Sequence, residues 1–445
     1  MAKWRPKFKE QKQEYVNKIQ KLEDRTQRQG NVNKELILKS NTKAVKELNN
    51  LAWKKLTLDH TRQEILDSVF YKAMQDVTKL YVSKSGLSQK ALLLLVKIVG
   101  SSFTLYTMDI SGNQLGKYSY KVTQELTKLP TLRTLDISHN KLGEYGHKVA
   151  QELTKLPTLH TLNISWNELG EHGYTVAQEL ATLHTIHTLN ISHNNLTQCA
   201  PAVVHELIKL PTLYALNISG NELGKYGHEV AQELAKSNSL HTIDISHNKL
   251  GEYGHKVAQE LTKLPTLHTL NISSNGLGEQ GYMVAQELAK SLTLYALDIS
   301  SNGLSEQSYM VAQELAKSPT LHALDISYND LGENSNSVKF AQNLVKSKNL
   351  TILNMSYNSL GKFRSEIVKV LMEVCSLRTL IVIENEWHNK KNFNNIKETI
   401  KVRNENVEGQ RCLHDIINMP KVLVKLVGEY HNEYYDWDNI LELHT

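Results

Sequence analysis

Two columns of titratable and aromatic side chains recur at a 27-residue spacing in this 445-residue chain. One reads Tyr106, Arg133, His160, His187, Tyr214, His241, His268, Tyr295 and His322. The other reads Gly112, His139, Trp166, His193, Gly220, His247, Ser274, Ser301 and Tyr328, with a last step of 29 to Tyr357. Imidazoles ligate metals and exchange protons near neutral pH. If the units stack, His160 meets His187 and His241 meets His268 near chelating distance. Zinc takes a tetrahedral set that usually includes cysteine or carboxylate, and no such cluster accompanies these pairs, so neither metal nor cofactor is expected. Contact chemistry remains, because aromatic rings and arginine anchor protein interfaces. The expected partner-binding residues are Arg133, His139, His160, Trp166, His187, His193, Tyr214, His241, Tyr328 and Tyr357.

Nothing in the chain assembles a catalytic centre. It has no Gly-rich phosphate loop, nucleophile elbow or HExxH helix. Its three cysteines, Cys199, Cys375 and Cys412, are scattered and odd in number. That argues for a reducing compartment and against a disulfide framework, with Cys199 a structural thiol. No enzyme and no small-molecule ligand are expected.

The elements that must position the columns come from the 27-residue unit, seen in Leu132 to Leu156. The unit starts again at Leu159, Ile186, Leu213, Leu240, Leu267, Leu294 and Leu321, and one unit earlier at Leu105. It then steps 29 to Leu350 and 27 to Leu377. A fixed period of this size means a stacked array. Leu135 and Ile137 alternate with Thr134, Asp136 and Ser138, which predicts a strand with one buried face. Asn140 recurs from Asn113 to Asn358, and an amide at the strand exit can satisfy turn backbone groups. Val149, Ala150, Leu153 and Leu156 form one apolar helical stripe, with Gln151, Glu152 and Lys155 facing water. Pro130, Pro157, Pro211, Pro265 and Pro319 end the helices.

Leu132, Leu135, Ile137, Asn140 and Leu142 fit L-x-x-L-x-L-x-x-N-x-L, the signature of leucine-rich repeats. With its Leu-Gly-Glu-x-Gly turn and Val-Ala-Gln-Glu-Leu helix, the unit resembles the ribonuclease-inhibitor-like class of that family. The period is slightly short for the class, and the asparagine-or-cysteine alternation at Asn140 is missing. The resemblance implies an α/β fold: a right-handed leucine-rich-repeat solenoid, or horseshoe, with an inner parallel β-sheet, outer helices and helical caps at both ends. It also implies binding through the concave face. There the Thr134, Asp136 and Ser138 positions scarcely vary, and interspersed Asn dilutes repulsion along the Asp column. A uniform ladder of this kind points to no unique ligand.

Five regions follow. Residues 1–46 are a basic helical extension, with an amphipathic helix over about 7–27. Residues 47–104 hold two worn capping repeats, with strands expected near 48–58 and 77–87. Residues 105–376 are regular repeats, in which Glu333–Ser337 should bulge as a surface loop. Residues 377–404 are a degenerate repeat that turns Ile381 and Ile383 to the concave side. Residues 405–445 are a helical tail expected to cover them; a protein partner using those two isoleucines is the alternative. The net charge of +5 does not demand nucleic acid, which would depend on the first 46 residues. The start of the chain lacks an apolar signal core, and the longest apolar run, Ala91 to Val99, cannot span a bilayer.

The chain is therefore expected to be a non-enzymatic scaffold that binds one or more proteins. It is expected in the cytoplasm, or exported to a host cytoplasm without a conventional signal peptide. Near-identical units and abundant Lys, Asn and Ile suit an AT-rich microbial genome, and family analogy extends the expectation to an effector of a host-associated microbe. The alternative is a regulatory protein resembling the activator of the nuclear-transport GTPase, though the uniform ladder identifies no acidic, arginine-bearing edge. A ribonuclease-inhibitor role is disfavoured, because a weakly charged concave face lacks the acidic field suited to a cationic enzyme. Cys412-Leu413-His414-Asp415 bears a faint resemblance to the Cys-x-Asp motif of bacterial leucine-rich-repeat ubiquitin ligases, with the spacing off by one and too short a tail for that domain.

Overall fold

In the computed structural model the described residues are 34–37, 77–100 and 102–382. They form one sheet of thirteen parallel strands in strict sequence order. The sheet starts with β1 (Lys34–Ile37), β2 (Val77–Tyr81), β3 (Thr107–Asp109) and β4 (Thr134–Asp136), and ends at β13 (Thr379–Ile381). Each regular unit passes from a three-residue strand through one 3-10 turn into an eight-residue helix, as in Thr134–Asp136, Gly143–Tyr145 and Gly146–Leu153. The stripe predicted from spacing is the buried one: Leu135, Ile137, Val149, Ala150, Leu153 and Leu156 are all inaccessible. Each unit buries these side chains against the units beside it, so a stack of repeats is the smallest body with a core.

Three-residue strands make too few ladder bonds to hold such a stack, and the asparagines supply the rest. Asn140 Nδ2 donates to the Ile137 and Ser138 carbonyls of its own unit and to Ile110 of the preceding one, at 3.0–3.1 Å. Its Oδ1 accepts from the Asn113 N–H at 3.0 Å. The same set repeats up to Asn358, whose Oδ1 takes the Asn329 N–H. In the worn unit before β3, Ser85 stands in this place, buried, and its hydroxyl reaches Asn113 Oδ1 at 3.3 Å.

Three expectations change. The neighbour of β2 is β1, with Leu36 paired to Leu80, so residues 34–37 are strand and not part of a helical extension. Leu36, Leu38 and Asn41 repeat the spacing of Leu135, Ile137 and Asn140. The step of 44 from Leu36 to Leu80 hides this match from a 27-residue register. The insertion at Glu333 does not bulge through Ser337. Asn334 Oδ1 accepts from the N–H groups of Asn336 and Ser337 and caps a longer helix, Ser335–Leu344. Ser138 and its counterparts Ser165 and Ser192 are buried in the strand-exit turn and do not line the open face. The prolines sit beyond their helices as expected, Gly146–Leu153 ending four residues ahead of Pro157.

The unit that starts at Ile186 keeps its helix, Ala200–Leu207, with Pro201 in its first turn as its fixed φ allows. Cys199 is half-buried there, its thiol donating to the Leu196 carbonyl. The helix over 7–27, the strand near 48–58, Ile383 and the tail with Cys412 lie outside the described residues.

Asn248 is fully buried; it donates to Ile218, Ile245 and Ser246 and accepts from the Asn221 N–H. Asn248→Ala leaves all four backbone groups without that partner and is expected to cost roughly 1–3 kcal/mol. The measurement is urea unfolding with amide exchange, and fast exchange should centre on the units flanking Asn248. A midpoint equal to that of the parent would remove the amide from its structural role.

Candidate interaction surface

The two columns of the sequence occupy opposite ends of the strands. Arg133 immediately precedes β4, whereas His139 follows it by three residues. The ring contacts among the described residues stay within one column: His160–His187, Tyr214–His241, His268–Tyr295 and Tyr295–His322 at the strand starts. At the strand exits they are His139–Trp166, Trp166–His193, His193–His247 and Tyr328–Tyr357. The ten predicted residues therefore belong to two surfaces. His247, His268, Tyr295 and His322, which lay in the columns but not among those ten, are members of the same stacks.

The stacking follows from the backbone. At the strand starts each N–H bonds the carbonyl of the residue one unit back: His160 to Arg133, His187 to His160, Tyr214 to His187, each at 2.8 Å. Side chains on such a ladder repeat at the strand spacing, about 4.8 Å. Ring centroids accordingly lie 4.4–5.1 Å apart and nearly parallel. Four of these histidines, His160, His187, His241 and His322, also place Nδ1 within 2.5–2.8 Å of the carbonyl oxygen two residues back.

The strand-exit column sits on strained backbone. His139, Trp166, His193, His247, Tyr328 and Tyr357 all have φ between 52° and 55°, the left-handed region. A side chain costs about 1–2 kcal/mol there, and Gly112 and Gly220 occupy the same place without that cost. Gly220 has a second reason: a Cβ on it would meet the His193 ring at 2.4 Å, so that ring lies across the glycine toward His247. Trp166 is held between two imidazoles, at 5.0 Å from His139 and 4.0 Å from His193, yet remains 48% exposed. Burial and the nearby Lys84 charge lower the pKa of His139, and burial with the His247 and His139 charges lowers that of His193.

Between the columns runs the Asp/Asn ladder, and its polar atoms are engaged within the fold. Asp136 Oδ1 accepts from the Ser138 N–H, and Oδ2 from Asn163 Nδ2, both at 2.8 Å. Besides Asp109 opposite Asp136, the ladder sets carboxylate against carboxylate where β10 (Ala296–Asp298) pairs with β11 (Ala323–Asp325), placing Asp298 opposite Asp325. Both carboxyls are buried. Burial, and then the Asp325 charge, push Asp298 up to about 8. Residue types alone did not reveal this pair; the missing Asn between two Asp positions was its only trace. No group of three or more His, Cys, Asp or Glu residues that could hold a metal ion occurs among the described residues, nor a helix long and apolar enough to cross a membrane.

A family model described as Leucine Rich repeat matches residues 128–144, 155–173, 263–283 and 317–334. Among solved structures the chain is similar to the leucine-rich repeat-containing protein LegL7 from Legionella pneumophila, at 20% identity and a TM-score of 0.48, over 66% of this chain and 90% of that one. It is also similar to a TLR13–ssRNA13 complex, at 17% identity and a TM-score of 0.44, over 70% of this chain and 43% of that one. No curated protein matches the chain.

Because the Asp298 pKa is raised from 3.8, the folded chain keeps a proton there that the unfolded chain releases between about pH 4 and 8. Stability attributable to this group therefore falls as pH rises through that window. Asp298→Asn removes the effect and offers Asp325 an amide, as Asn354 already does. The variant should exceed the parent in stability at about pH 8 by about 1–3 kcal/mol, with the gap closing near pH 4.5. Thermal melts at the two pH values check this, and equal midpoints at pH 8 would contradict it.

Proposed function

Because this chain is a leucine-rich-repeat protein, we propose that it is a non-enzymatic scaffold that binds a protein partner along the ends of its strands. The observation that carries this reading is Trp166, a half-exposed indole on left-handed backbone where glycine stands in two other units. The repeat imposes this backbone on every unit, and glycine or serine fills it in other units, so the large, half-exposed indole is not required by the fold. Stacking on both faces also fixes the ring before any partner arrives. An anchor already immobile loses little freedom on binding, which favours affinity. Exposed Arg133, Tyr214, Tyr328 and Tyr357 extend the same chemistry over several units.

The outer helices support the assignment by contrast. Their exposed sides carry the same short ion pair in unit after unit, Lys155–Glu152, Lys209–Glu206, Lys263–Glu260 and Lys317–Glu314 among them. Charged lysine and glutamate are depleted from interface centres, and pairs this exposed contribute little energy. The helices therefore serve as a solvated back, and the strand ends are where contact is expected.

Affinity capture with the full chain, compared with a variant carrying Arg133→Ala, His160→Ala and Trp166→Ala, tests the proposal. The variant should lose the captured partner by about tenfold or more. Trp166→Gly separates binding from folding: relief of backbone strain offsets lost stacking, so its stability should stay within about 1 kcal/mol of the parent while capture drops. Undiminished capture by the triple variant would sink the assignment.

A further inference from the structure

At the strand starts, one nitrogen of each bonded imidazole is already committed. Nδ1 of His160, His187, His241 and His322 faces the carbonyl oxygens of Thr158, Thr185, Ser239 and Thr320. An oxygen with only lone pairs accepts, so Nδ1 carries the hydrogen and Nε2 of the neutral ring is a bare acceptor. One proton converts Nε2 into a charged donor without turning the ring. Every ring in this set also has at least one face covered by the ring of an adjacent unit.

Those two facts narrow the ligand. Bases of single-stranded nucleic acid bind chiefly by stacking on open aromatic faces. Here each of the four rings has one face spent on a neighbouring ring, and the polar nitrogen left for a ligand is on the ring edge. In acid those edges present charged N–H donors at His160 and His187 one strand spacing (about 4.8 Å) apart, with His241 two units further along and His322 three units beyond it, positions that successive carboxylates of one extended segment can meet. Resting on the scaffold reading above, we propose that the strand-start column docks an acidic protein segment, whose carboxylates accept hydrogen bonds from the Nε2–H of protonated His160, His187, His241 and His322.

The charged surroundings fit that partner. Arg133 is bonded through its carbonyl to the His160 N–H and adds a permanent positive charge beside it. Tyr106, Tyr214 and Tyr295 are the other long side chains of the column and bring hydroxyls. Carboxylates further along the strands, Asp136 and Asp244, are engaged by the Ser138 and Ser246 N–H groups, and Asp136 also by Asn163. His268, within the same column, has its pKa lowered by burial and then by the charge of His241, with His322 contributing. Positive charges in the column therefore oppose one another, and an anionic ligand relieves that opposition. Linkage makes the relation reciprocal: protonation favours the acidic segment, and the segment favours protonation.

The test is fluorescence anisotropy of the full chain with a labelled glutamate-rich peptide, its glutamine counterpart, and an oligo-dT of equal charge. Binding of the glutamate peptide should tighten by about tenfold or more between pH 7.5 and 5.5. The glutamine peptide should not bind. The gain should vanish with His160→Gln, His187→Gln, His241→Gln and His322→Gln together, and shrink with the first two alone. It should persist when four histidines elsewhere, His147, His172, His184 and His255, are changed to Gln. No binding near pH 5.5, or an undiminished gain in the column variant, overturns the proposal. Oligo-dT that binds as tightly with the same histidine dependence overturns it in favour of a nucleic-acid site. If the peptide fails while capture still depends on Arg133, His160 and Trp166, the acidic-segment proposal falls and the scaffold reading stands.

Discussion

The buried asparagine amide is the interaction on which the rest of the structure depends. A three-residue parallel strand followed at once by a turn leaves carbonyls and N–H groups that water cannot reach. One amide answers them in two adjoining units, donating three hydrogen bonds and accepting at least one. Leucine burial supplies the driving force for stacking, but it is non-directional. Geometry comes from the amides, which lock each turn to its neighbour at a fixed offset. An irregular ladder would leave buried polar groups unanswered, and the asparagine recurs in every regular unit from Asn113 to Asn358.

Fixed offset has consequences at the surface. Side chains at matching positions are brought to the strand spacing whatever their identity, which puts rings such as His160 and His187, or Tyr295 and His322, within stacking distance. At the strand exits the same geometry forces left-handed backbone on every occupant. In the Asp/Asn ladder it sets like beside like, a harmless outcome where amide meets carboxylate and an unfavourable one at Asp298 and Asp325. Register therefore creates both the pre-formed aromatic rows and the carboxylate pairs between them, Asp109 with Asp136 and Asp298 with Asp325.

Much of this was legible in the sequence because the period is short and the pattern is strong. Leu135, Ile137 and Asn140 announce strand, core and turn, and the helix stripe follows from Val149 to Leu156. β1 was missed because its unit is longer, although Leu36, Leu38 and Asn41 carry the pattern. The role of Asn334 was hidden too, since a cap and a loop residue look alike until the helix is seen to lengthen. For the surface, the sequence named the two columns but not their separation. Arg133 and His139 are close in the chain, yet a strand lies between them. Left-handed backbone at Trp166 also has no signature beyond the glycines that replace it at 112 and 220.

The backbone ladder at the strand starts treats each ring as one rung among equals. Adding or deleting a whole unit by recombination would lengthen or shorten the row by a single rung while preserving every other contact. Copy number thus becomes a heritable dial on the reach of this surface, adjustable without any mutation in the core.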